Sequence, residues 1–79
     1  MSEIKPDLIL DNSGLSCPMP IIKTKKAMDG LQIGQVLKMI STDPGSVSDV
    51  QAWVNKTGHQ LLGHETEGNK FIFYIRKTK

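Results

Sequence analysis

"GLSCPMPIIK" (residues 14–23) holds the only cysteine of the chain, Cys17, between a glycine-led turn and two prolines. Its two halves belong to different elements. Gly14-Leu15-Ser16 has the chemistry of a turn. Proline is tolerated in the first turn of a helix, where the backbone N–H groups have no intrahelical partner. With Cys17 as N-cap, Pro18 becomes N1, Met19 N2 and Pro20 N3. The helix that follows is expected from Pro18 to about Gly30. Ile21, Thr24, Met28 and Leu31 recur at spacings of three and four, flanked by Ala27. Lys23, Lys25 and Lys26 fall mainly on the other side. Upstream, Leu8–Leu10 reads as a short strand ended by the turn-rich "DNSG" of residues 11–14. Residues 1–6, polar and closed by Pro6, read as a flexible tail.

Downstream, "GQVLKMIST" alternates as a strand. Val36, Lys38 and Ile40 point one way; Leu37, Met39 and Ser41 point the other. "TDPGSVSDVQAWVNKTG" is a second helix. Asp43 can cap it with Pro44 at the first helical position, or Ser46 can cap it with Asp49 three residues on. Val47, Val50 and Val54 form its apolar stripe, and Gly58 stops it. "QLLGHET" and "KFIFYIRK" are two strands joined across "EGN", where Gly68-Asn69 suits a tight turn with positive φ at its first central residue. The order is β-α-β-α-β-β. The simplest packing is an α/β (α+β) two-layer sandwich, with two helices on one face of a four-stranded mixed sheet. The strand order within the sheet does not follow from the pattern.

The 79 residues make one domain, 1–79, with a thin core. The formal net charge of +2 is too small to imply nucleic acid. A lone cysteine forms no intrachain disulfide, which favours a cytoplasmic setting. The N-terminus lacks the pattern of a signal peptide, and the longest apolar run, Phe71–Ile75, is far short of a membrane span.

Cys17 is the candidate catalytic residue. A helix N-terminus carries about half a positive charge and favours thiolate, the nucleophilic form, over thiol. Pro20 has no N–H to donate to an N-cap, so Met19 is the main donor, and the thiol is expected to be moderately activated and free to move. The alternative for any lone cysteine is a buried small hydrophobe. The turn before Cys17 and the prolines after it point to a surface corner instead. Lys23, Lys25 and Lys26 are either a solvated helix face or a positive rim that steers an acidic partner. No metal is expected: His59 and His64, five apart on an expected strand, point to opposite faces and lack zinc-ligand spacing. Neither histidine carries a catalytic signature with Cys17. Trp53 reads as a packing anchor.

With these elements in place, "LDNSGLSCPMP" (residues 10–20), "STDPGSVSDVQAWVNKTGHQLL" (residues 41–62) and the closing hairpin resemble the TusA/SirA-like sulfur-carrier family over residues 8–77. The core motif is Cys-Pro-x-Pro, matched by Cys17, Pro18 and Pro20, with Gly14 and Asp11 before it. The resemblance implies the same two-layer sandwich and a cysteine that carries sulfane sulfur as a persulfide, with no further cofactor. It implies a protein donor, typically a cysteine desulfurase or a rhodanese, and a downstream protein acceptor. Destinations in the family include tRNA thiolation, molybdenum-cofactor biosynthesis and sulfur oxidation. Ser16 stands where members often carry Arg or Lys, which removes a positive charge beside the thiol. A monomer is expected, without membrane or direct nucleic-acid binding. Two other classes compete with this reading. One is a small non-catalytic protein- or RNA-binding module, disfavoured by the lack of stacking aromatics and of a glycine-rich nucleic-acid loop. The other is a peroxide-sensing thiol, disfavoured by the lack of a resolving cysteine.

Overall fold

The computed structural model of the protein describes residues 5–15 and 19–79. Ser16, Cys17 and Pro18 lie outside the described residues, as do residues 1–4 of the expected tail. The elements follow the expected order: β1 (Leu8–Asn12), α1 (Met19–Asp29), β2 (Val36–Ser41), α2 (Ser46–Thr57), β3 (Gln60–Glu67) and β4 (Lys70–Arg76).

The sheet order is β1-β2-β4-β3. β1 pairs with β2 in parallel, and β4 lies antiparallel between β2 and β3. β1, β2 and β3 therefore all run the same way. Each helix is the crossover that a parallel connection requires. Alternation in β2 matches the expected faces: Leu37, Met39 and Ser41 are buried, while Val36, Lys38 and Ile40 are half-buried. The register sets Leu37 opposite Ile75 and Met39 opposite Phe73. These four side chains form one core with Met28 of α1 and Val50 and Val54 of α2, so both helices cover the same face. β4 lies between β2 and β3 in the sheet, and its Ile72 and Phe73, which point to opposite faces, are both buried. That accounts for its unbroken apolar run. Burying a side chain such as Phe73 contributes about 2–3 kcal/mol. Among the described residues no helix is long and apolar enough to cross a membrane.

Three local expectations change. β1 runs two residues further than Leu8–Leu10, because Asp11 and Asn12 pair with Ile40 and Ser41 of β2. Ser46 does not cap α2. It is buried inside the first turn, its hydroxyl 2.5 Å from the Ser41 hydroxyl. The Asp43 carboxylate instead accepts from the Gly45 N–H at 3.0 Å, just ahead of the regular helix. The histidines do not share a strand. His59 precedes β3, and a bulge between Leu61 and Gly63 breaks the alternation before His64. At the other end of α2, Gly58 adopts φ 85° and donates its N–H to the Val54 carbonyl, closing the helix as expected. The β3–β4 turn has φ 59° at Gly68.

Trp53 packs against the core, as an anchor should. The segment after β4 ties three elements together. The Lys77 ammonium donates to the carbonyls of Met28 at 2.9 Å and Leu31 at 2.8 Å. It thereby satisfies acceptors around the end of α1, where the helix dipole is negative. Thr78 donates its hydroxyl to the Gly58 carbonyl and its N–H to His59 Nδ1 at 3.2 Å. The His59 ring lies 5.5 Å from that of Trp53.

An imidazole nitrogen that accepts a hydrogen bond must be unprotonated. Burial first, then the charges of Lys77 and Lys79, hold His59 below its ordinary value of 6.5, against a smaller opposing pull from Asp29. The folded state therefore favours neutral His59. Its contribution is present in full above the unfolded value and is lost as the pH falls through the folded one. Chemical denaturation from about pH 7 to pH 5 should show the wild type losing more stability than His59→Gln. Parallel curves would remove His59 from the account.

Candidate functional site

A parallel β1–β2 pair places the carboxyl ends of both strands at one edge of the sheet. Two segments leave from that edge: residues 13–15, on the way to α1, and residues 42–45, leading into α2. In open α/β sheets this is the edge where binding groups collect. Cys17 itself lies outside the described residues. Its flanks do not: Leu15 ends the first described stretch and Met19 begins α1, both at this edge.

The loop after β1 starts with an aspartate turn. Asp11 Oδ1 accepts from the Ser13 N–H at 2.9 Å. The Leu15 N–H then donates to the Asn12 carbonyl at 3.1 Å. The hydrogen bonds from the Ser13 side chain and backbone, and the charge of Lys70, hold the Asp11 carboxyl below the usual range. At Gly14 the backbone turns left-handed, with φ 82°. Its N–H donates to Thr42 Oγ1 at 2.8 Å, which ties the loop ahead of Cys17 to the loop ahead of α2.

Beneath these loops lies a polar layer. Asn12, Thr24, Ser41 and Ser46 are all at most 1% exposed. Asn12 and Ser41 end β1 and β2, Ser46 opens α2, and Thr24 faces inward from α1. The Ser41 hydroxyl joins the Ser46 hydroxyl and accepts from the Asp43 N–H at 3.1 Å. Buried polar side chains cost stability unless hydrogen-bonded, so this layer fixes the floor of the edge.

Of the residues singled out in the sequence, Asp11, Gly14 and Met19 meet at this edge, and Pro20 is the second residue of α1. The N-cap assigned to Cys17 and the N1 position assigned to Pro18 fall outside the described residues. Lys23, Lys25 and Lys26 are all exposed. Lys25 is engaged: its ammonium lies 3.9 Å from Asp29, in a pair whose side chains are both 70% exposed. Such a pair contributes little to stability. It sets an opposite charge beside Lys25; Lys23 and Lys26 have no ion pair among the described residues.

Sequence reasoning missed two features. Met19 and Ile22 are 41% and 44% exposed and stand with Lys23 and Lys26 on one outward stripe of α1. The signal was there: both fall off the inward series of Ile21, Thr24 and Met28. The Thr42 contact to Gly14 spans 28 residues and left no local mark.

The family model for the sulfurtransferase TusA matches residues 8–77. The chain belongs to the TusA sulfurtransferase family. It is 49% identical over 72 residues to the sulfur carrier protein TusA of Allochromatium vinosum, covering 91% of this chain and 95% of that one. YrkF of Bacillus subtilis, also named as a sulfur carrier protein, is 49% identical over 74 residues. That match takes in 94% of this chain but 40% of YrkF, so the chain spans less than half of that relative's length. The crystal structure of a SirA-like protein from Desulfitobacterium hafniense superposes with a TM-score of 0.79 at 24% identity, covering 91% of this chain and 99% of that one. It supports the fold.

Gly14 offers a direct test of the loop geometry. A Cβ added there meets nothing within 4 Å, so the cost of Gly14→Ala comes from the left-handed backbone alone. That cost is about 1–2 kcal/mol. Gly63 is also open to a Cβ but has no positive φ. Denaturant unfolding should show Gly14→Ala less stable by about that amount and Gly63→Ala close to the wild type. Equal effects at both sites would contradict the strained turn.

Proposed function

We propose that the protein is a sulfur carrier whose Cys17 takes up one sulfane sulfur as a persulfide and hands it on. The family match over residues 8–77 carries this reading. It is joined by the chemistry of the sequence: a single thiol two residues before an 11-residue helix. The positive end of α1 favours the thiolate.

The chemistry needs no oxidant. The Cys17 thiolate attacks the terminal sulfur of the donor's persulfide. A new S–S bond forms on Cys17 as the donor's S–S bond breaks, and the donor cysteine leaves as thiolate. In the second half the acceptor's nucleophile attacks the terminal sulfur on Cys17, and Cys17 departs as thiolate. Each step is a displacement at sulfur with a thiolate leaving group. The partners are proteins: a donor of the cysteine desulfurase or rhodanese type, and an acceptor in tRNA thiolation, molybdenum-cofactor biosynthesis or sulfur oxidation. No cofactor other than the carried sulfur takes part. Encounter relies on surface complementarity. The exposed stripe of Met19, Ile22, Lys23 and Lys26 supplies apolar contact with a positive rim, suited to a partner with an acidic margin.

Intact-mass spectrometry after incubation with a persulfide donor should show a gain of one sulfur atom, reversed by dithiothreitol. Cys17→Ser should gain none. Loading of Cys17→Ser, or stable loading of two sulfurs on the wild type, overturns the single-site mechanism. The lysine rim has its own test. With a desulfurase as donor, Lys23→Glu should slow second-order sulfur transfer by about tenfold at low salt, and the deficit should shrink once the screening length falls to about 8 Å. Alkylation of Cys17 by a small neutral reagent should be unchanged. Lys25→Glu, beside Asp29, should lose less. Equal salt dependence in wild type and Lys23→Glu removes the steering role.

A further inference from the structure

Both helices lie on one face of the sheet, and among the described residues nothing covers the other. Pair register orders that outer face into rows. Val36, Arg76 and Gln60 form the row nearest the amino end of β2. Ile9, Lys38, Tyr74 and Gly63 come next, then Asp11, Ile40, Ile72 and Glu65, and last Lys70 with Glu67. Apolar groups run through the middle. Ile9 is 60% exposed and Val36, Ile40 and Tyr74 are half-buried, while Ile72 between them is buried by its neighbours on the sheet. A solvent-facing sheet face normally alternates to polar residues, and a contiguous apolar strip with a charged margin marks an interaction surface.

The charges are sorted by end. Three carboxylates, Asp11, Glu65 and Glu67, stand with one ammonium, Lys70, at the end near the β3–β4 turn. Two cations, Lys38 and Arg76, occupy the opposite half, where Lys38 lies 6.0 Å from the centre of the Tyr74 ring. Asp7, just outside that half, has its carboxylate on the Val36 N–H at 2.8 Å. A face with an acidic half, a basic half and an apolar middle is complementary to itself after a half turn. An isologous pair requires that property.

We propose that this outer sheet face binds a second copy of the chain, the acidic half of one protomer lying over the basic half of the other. The sequence led us to expect a monomer, and the size of the face explains why the pair is weak. Strands about 4.8 Å apart and residues rising about 3.3 Å give a patch of roughly 15 by 20 Å. Over both protomers that is about 600 Å² of flat area, below the range of standard specific interfaces, so association is weak, reversible and concentration-dependent. Pairing through this face leaves both helices uncovered, so a dimer still presents the start of α1 and the 42–45 loop.

Sedimentation equilibrium of the full chain, from about 10 μM to about 1 mM, should show a reversible monomer–dimer equilibrium that weakens with salt. Arg76→Glu and Glu65→Lys, both at exposed positions, should each weaken self-association by about tenfold. An equimolar mixture of the two variants should associate more tightly than either alone, because the intact acidic half of one meets the intact basic half of the other. Ile9→Asp should abolish the dimer, with circular dichroism confirming the fold. A chain that stays monomeric throughout, or a dimer indifferent to these substitutions, overturns the proposal. So does a mixture no tighter than its components.

Discussion

The parallel pairing of β1 with β2 is the constraint on which the rest of the molecule depends. A parallel neighbour cannot be reached by a tight turn, so the chain must cross over, and α1 is that crossover. Both strands then end at the same edge. The turn at residues 13–15 and the loop that starts α2 become neighbours, joined by one hydrogen bond from Gly14 to Thr42. β4 entering between β2 and β3 turns this unit into a closed two-layer core.

That arrangement suits a carrier better than an enzyme that encloses its substrate. The core beneath the edge is not apolar to the top. It ends in the buried polar side chains Asn12, Thr24, Ser41 and Ser46, of which the Ser41 and Ser46 hydroxyls bond to each other. The outward stripe of α1 pairs exposed apolar side chains with lysines, a combination that favours brief contact with another protein over capture of a small molecule.

Much of this was legible in the sequence where the signal is local. The alternation in residues 36–41, the stripe of Ile21, Thr24 and Met28, and Gly58 closing α2 each report on neighbours within a few residues. What the sequence hid is long-range. β1 reads as three residues from its apolar character and becomes five only because β2 offers hydrogen bonds to Asp11 and Asn12. Ser46 resembles a helix cap until Ser41, across the loop, takes up its hydroxyl. Strand order is invisible because β4, last in the chain, owes its central place to burial on both faces. At the site, Gly14 fell in the turn that the sequence marked, whereas Asp11 belongs to β1 and only its carboxylate reaches the turn, accepting from the Ser13 N–H. The pairing of Lys25 with Asp29 sets an opposite charge beside one of the three lysines.

The bond from Lys77 to the far end of α1 has a consequence for how the chain assembles. It links residues 46 and 49 positions apart. The central strand, too, is made after every strand it must separate. During synthesis the first helix therefore lacks both Lys77 and half of its underlying sheet until residues 60–77 have emerged. Contacts of this separation must wait for loop closure before they return any energy. α1, which begins two residues after the cysteine, gains its full set of partners only once β4 and Lys77 are in place.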